Sequence, residues 1–134
     1  MKITTATFLL VFTAGSLGVH GAAQAQNANP LACTVFPAGT SQGCTSNDPS
    51  SEYSVRLQVP NPRVTSYVWS HTDIDTGVKR TLSCTTSVCN FSVSANGRDI
   101  FWDIEAEENT GRNAATYSTT LDLAAVCGQG SYFC

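Results

Sequence analysis

From Tyr53 to Val59 the chain reads Tyr-Ser-Val-Arg-Leu-Gln-Val, so Tyr53, Val55, Leu57 and Val59 alternate with Ser54, Arg56 and Gln58. A period of two is what a strand with one buried face requires, because successive side chains point to opposite sides. Pro60-Asn61-Pro62 ends the run. The same period returns in Thr65, Tyr67 and Trp69, in Val78 and Leu82, in Phe91 and Val93, and in Tyr117, Thr119, Leu121 and Leu123. It is sharpest where Ile100, Trp102, Ile104 and Ala106 face one way and Asp99, Phe101, Asp103, Glu105 and Glu107 the other. Turn-forming residues separate these runs at His71–Gly77, at Asn96-Gly97, which accept positive φ cheaply, and at Asn109-Thr110-Gly111. No helical period is sustained beyond the first 25 residues. The pattern predicts an all-β protein, a two-sheet antiparallel sandwich of about seven strands.

The first 25 residues differ in kind. Lys2 precedes an apolar run from Phe8 to Val19 and the small-residue pattern Ala23-Gln24-Ala25, which predicts a signal peptide cleaved after Ala25. The run falls short of the roughly 20 residues a membrane span needs, so no membrane insertion is expected. Leu31-Ala32-Cys33 has Pro30 where a lipid-acceptor cysteine usually has an aliphatic residue, and a polar stretch separates it from the apolar run. The expected organisation is a signal peptide over 1–25, an N-terminal arm and disulfide-closed loop over 26–51, and the sandwich with a stapled C-terminal tail over 52–134. Losing Lys2 moves the formal charge from −3 to −4. With no basic patch, nucleic acid is not an expected partner.

All six cysteines follow the leader. In an oxidising, secreted or periplasmic setting an even number predicts three disulfides, for which roughly 15 pairings are formally possible. Proximity favours Cys33–Cys44, Cys84–Cys89 and Cys127–Cys134. For Cys84 and Cys89, zinc would need further ligands, yet His71 is the one histidine after the leader. Redox chemistry would need a shorter spacing at a helix start. The expectation is a staple across a β-hairpin, contributing about 2 kcal/mol in the chain-entropy model.

The stretches Arg63–Ser70, Phe91–Gly97 and Thr110–Leu123 resemble the immunoglobulin-like, PKD-like and fibronectin type III-like modules of exported bacterial proteins, over roughly residues 50–126. The resemblance implies a binding module. The inter-sheet cysteine pair of antibody domains has no counterpart in Tyr53–Val59 or Ile100–Ala106.

Catalytic signals are thin. Gly39-Thr-Ser41-Gln-Gly43 has the spacing of a hydrolase nucleophile elbow, but no helix is expected after Ser41 and the domain is too small for that fold. Asp73 and Asp75 before Gly77 resemble the start of a calcium loop, although the twelfth position, where a bidentate glutamate belongs, is Cys84. Turn capping explains them equally well. Tyr67 and Trp69 stand where a core needs bulk rather than where a sugar would stack. The distinctive surface is the acidic ladder Asp99, Asp103, Glu105 and Glu107, with Phe101 inside it as a possible anchor for a basic partner. Tyr132 and Phe133, between the last two cysteines, form a second candidate binding patch. The expectation is therefore a secreted, non-catalytic, cofactor-free module for an extracellular or envelope protein or glycan. The alternative is an inhibitor or regulator of an extracellular hydrolase, presenting a stapled loop.

Overall fold

The structure, a computed structural model, describes residues 29–38, 43–95 and 97–126. The segment 1–25 expected as a signal peptide, Ser41, Asn96, the expected Cys127–Cys134 bond, Tyr132 and Phe133 lie outside the described residues. Nine strands form among those described: β1 (Asn29–Pro30), β2 (Ala32–Phe36), β3 (Thr45–Ser50), β4 (Glu52–Gln58), β5 (Tyr67–Asp73), β6 (Lys79–Thr81), β7 (Val88–Ser94), β8 (Ile100–Glu108) and β9 (Thr116–Ala125). They build a six-stranded sheet, β1-β9-β8-β5-β6 with β3 also on β9, and a three-stranded sheet, β2-β4-β7. β1 and β3 run parallel to β9, and the other pairings are antiparallel. The all-β two-sheet expectation holds. The strand total exceeds about seven because the segment expected as arm and loop supplies β1, β2 and β3.

The alternation places the core where the pattern said. Tyr53, Val55 and Leu57 of β4 are buried together with Tyr67 and Trp69 of β5, Ile104 and Ala106 of β8, and Leu121 and Leu123 of β9. Tyr67 and Trp69 are thus core residues and offer no sugar platform. Burial of each large aliphatic chain is worth about 1.5–3 kcal/mol.

Polar groups fasten the layers. The Tyr53 hydroxyl, on the smaller sheet, accepts from Ser50 N at 3.1 Å. Its proton lies within reach of Asp48 O (2.6 Å) and of Ala124 O (2.5 Å) on the larger sheet. The Trp69 indole donates to Thr86 O at 2.8 Å, in the segment that crosses from β6 to β7.

Two expected disulfides are present, Cys33–Cys44 and Cys84–Cys89, with Cα separations of 5.1 and 5.3 Å. Their positions correct one expectation. Cys84–Cys89 does not span a hairpin, because β6 pairs with β5 in one sheet whereas β7 pairs with β4 in the other. The bond closes the crossover between sheets. Cys33–Cys44 joins β2 to the residue just before β3, and so also links the two sheets.

Tyr53→Phe keeps the ring and removes the inter-sheet hydroxyl, the partner of Ser50 N and of the Ala124 carbonyl on the facing sheet. It should destabilise the oxidised protein by about 1–3 kcal/mol, read as a lower denaturant midpoint at unchanged slope. An unchanged midpoint would show that the hydroxyl contributes nothing to joining the sheets.

Candidate functional site

Two surfaces carry side chains beyond the needs of packing. The first is the outer face of the six-stranded sheet. Phe101, Asp103, Glu105 and Glu107 of β8 point outward, flanked by Thr72 and Ser70 of β5 and by Thr116, Ser118, Thr120 and Asp122 of β9. Phe101 remains 40% exposed. The acidic side chains are unequal. Asp99 accepts from Ala125 N at 2.7 Å and fixes the end of β9. Asp103 accepts from Thr120 Oγ1 at 3.1 Å, and Glu105 pairs with Lys79 at 2.5 Å. Glu108, next to the ladder in sequence, turns inward and is 8% exposed, with the Tyr117 hydroxyl donating to it at 3.2 Å. Burial, followed by that carboxylate, pushes the Tyr117 phenol up from its usual value. Glu108 therefore belongs to the core.

The second surface was missed in the sequence. Along β5 the inner-face parity of Tyr67 and Trp69 continues into His71 and Asp73, which are polar. At that corner the smaller sheet no longer covers the larger one, and a cleft of about 430 Å³ opens, lined by His71, Asp73, Arg80, Arg98 and Trp102 among others. The His71 and Trp102 rings stack with centroids 4.0 Å apart and planes 17° from parallel. Neither His71 Nδ1 nor Trp102 Nε1 has a hydrogen-bond partner among the described residues. Trp102 shares a face with Ile104 and Ala106, yet at this corner it is only half-buried. Polar residues on a core-parity face were the available signal. Arg80 and Arg98 reach the cleft from other segments, and no local pattern announces that.

The cleft's electrostatics are mixed. Asp73 Oδ1 accepts from Thr76 N at 3.0 Å, and Oδ2 pairs with Arg98. Partial burial opposes ionisation of Asp73, but the Thr76 hydrogen bonds and Arg98 outweigh it and hold the carboxyl below its usual range. Burial, then the Arg80 guanidinium, lowers the His71 pKa, and Asp73 partly offsets them. Oδ1 of Asp73 closes the turn, whose Gly77 adopts φ 69°, while Oδ2 is held by Arg98 from the β7–β8 connection. Asp75 stands exposed at the turn. No group of three or more His, Cys, Asp or Glu side chains placed to hold a metal ion occurs among the described residues. His71 and Asp73 share no hydrogen bond, and the aspartate orients nothing on the imidazole.

The fold defines a class, a disulfide-linked all-β protein of two facing sheets. Among the described residues no helix is long and apolar enough to cross a membrane, which together with the disulfides is compatible with an extracellular or periplasmic protein. Comparison with known proteins gave no match to a family model, a curated protein or a solved structure.

His71 should titrate below the ordinary histidine value of 6.5. Arg80→Gln should raise that pKa and Asp73→Asn should lower it further, since the latter also releases Arg98. A proton NMR titration of the imidazole checks both directions. Because the folded value is the lower one, His71's contribution to stability is complete above the unfolded value and is lost as pH falls through the folded pKa.

Proposed function

We propose that the chain is a secreted or periplasmic, immunoglobulin-like binding module without catalytic activity. Its outer six-stranded face takes up a basic segment of an extracellular or envelope protein. Leaving aside β1 and β3, β2-β4-β7 facing β6-β5-β8-β9 corresponds to the A-B-E and C′-C-F-G arrangement of immunoglobulin sandwiches. Trp69 lies buried on β5, the counterpart of the strand that carries the core tryptophan in those domains. These correspondences support the fold reading.

The observation that carries the binding reading is Phe101. Asn29 and Pro30 pair with the far edge of β9, and the Phe101 ring stays exposed beside Asp122 and Asp103, at one end of the row that Glu105 and Glu107 continue. Lys79 offsets only one of those charges. An apolar ring inside a surplus of carboxylates suits a partner with cationic side chains on an apolar stem, because the stems cover the ring while the heads meet the acids.

The test compares the oxidised wild-type protein with Phe101→Ala and Glu107→Lys as baits for the native secretome, followed by affinity measurement on the recovered partner. Phe101→Ala should weaken binding about thirtyfold, as expected for an interface anchor, and Glu107→Lys should slow association and reduce its salt dependence. A partner held equally by all three baits, or none recovered by the wild type, would remove the outer face from consideration.

A further inference from the structure

Buried polar atoms nearly always have partners, and each exception calls for a physical account. Three such exceptions occur among the described residues: the Tyr67 hydroxyl, His71 Nδ1 and Trp102 Nε1. Tyr67 stands apart, edge-on to Tyr117 at a centroid distance of 6.3 Å. The other two atoms belong to one stacked pair, and both rings line the cleft at the open corner. An indole N–H can only donate, so Trp102 requires an acceptor.

The cations of the same cleft add to that demand. Arg98 is satisfied by Asp73, whereas the Arg80 guanidinium has no hydrogen-bond or ion-pair partner among the described residues. Two guanidinium groups against one carboxylate leave a surplus of one positive charge, with His71 neutral near pH 7. The vacant functions are therefore acceptor oxygens and a single negative charge. A guanidinium fork matches a carboxylate's two oxygens, and the charge surplus suits a monoanion better than a doubly charged phosphate. The cleft volume of about 430 Å³ is within the range of small-ligand sites.

We propose that this cleft binds a monoanionic carboxylate, its oxygens received by the Arg80 guanidinium and, as the stacked His71–Trp102 wall shifts to expose the buried nitrogen, by the Trp102 indole N–H. The site is independent of the outer acidic face. Such a carboxylate can belong to an acidic sugar or to a peptide, and the two sources are separable by experiment.

The chain after its leader has two indole N–H groups, which makes the test internally controlled. Trp102 reports on the cleft, and Trp69, bonded to Thr86 O, reports on the interior. The oxidised, nitrogen-15-labelled protein is titrated at pH 7 with sodium glucuronate, with sodium N-acetylglycinate, and with sodium chloride at matched ionic strength. The expected result is a saturable shift of the Trp102 indole and His71 imidazole signals with at least one carboxylate, Trp69 unmoved, and affinity reduced about tenfold or more in Arg80→Gln. Arg80 lies on an exposed three-residue edge strand, so this variant is expected to fold, and the Trp69 signal verifies it. Saturation with glucuronate alone identifies an acidic sugar, with acetylglycinate alone a peptide carboxylate, and with both the carboxylate itself. The proposal is overturned if neither saturates, if chloride reproduces the shift, if both indoles move together, or if Arg80→Gln binds as well as the wild type.

Discussion

A three-stranded sheet cannot cover a six-stranded one, and most of this molecule follows from that mismatch. Facing twisted sheets pack in register only over their common area and diverge toward the corners. Where β2, β4 and β7 lie over β5, β8 and β9, the inner faces supply mostly apolar side chains and close completely around Trp69, Ile104 and Leu121. Toward the end of β5 the cover runs out while the strand continues. Its inner face then turns from Tyr67 and Trp69 to His71 and Asp73, since apolar side chains there would meet water. The polar corner is thus a consequence of unequal sheet width.

The same mismatch explains where the fastenings lie. Hydrogen-bonded ladders hold each sheet internally, but nothing in a ladder joins one sheet to the other. The joints in this fold are the Tyr53 hydroxyl reaching Ala124 O, the Trp69 indole reaching the crossover at Thr86, and the two disulfides beside the sheet-to-sheet passages. A small domain gains most from links of this kind, because its core alone offers limited burial. Each disulfide closes a short loop and is worth about 2–3 kcal/mol through the unfolded state.

Legibility in the sequence tracked how much of a strand's environment lies in its own residues. β4, β8 and β9 each present several inward apolar side chains, so their period is visible without knowing their neighbours. β3, Thr-Ser-Asn-Asp-Pro-Ser, buries only Ser46 and owes its conformation to β9 beside it. β2 has Val35 as its single fully inward residue and leaves Phe36 75% exposed, so its alternation is too short to read. The acidic face was legible because one strand carries it. The cleft was not, because its residues come from β5, β6, β8 and the β7–β8 connection, and register alone brings them together. For the Cys84–Cys89 pair, local spacing revealed the bond but not that it ties the crossover between the sheets to β7.

Lys79 and Arg80 make the division of labour between the two surfaces concrete. They are neighbours on a three-residue edge strand, so alternation sends one to each face of the larger sheet. Lys79 meets Glu105 on the outer face, where it subtracts one charge from an acidic surface. Arg80, beside His71 across the β5–β6 ladder, meets no carboxylate of its own, because Asp73 is already held by Arg98 and Thr76. The strand thus adds one positive charge to each face, neutralised outside by Glu105 and left unpaired inside. The outer face keeps a negative surplus around an exposed ring, and the inner corner keeps a positive one around two unpartnered ring nitrogens. A partner charged to suit either face would be repelled by the other, so the two surfaces are distinguished by charge.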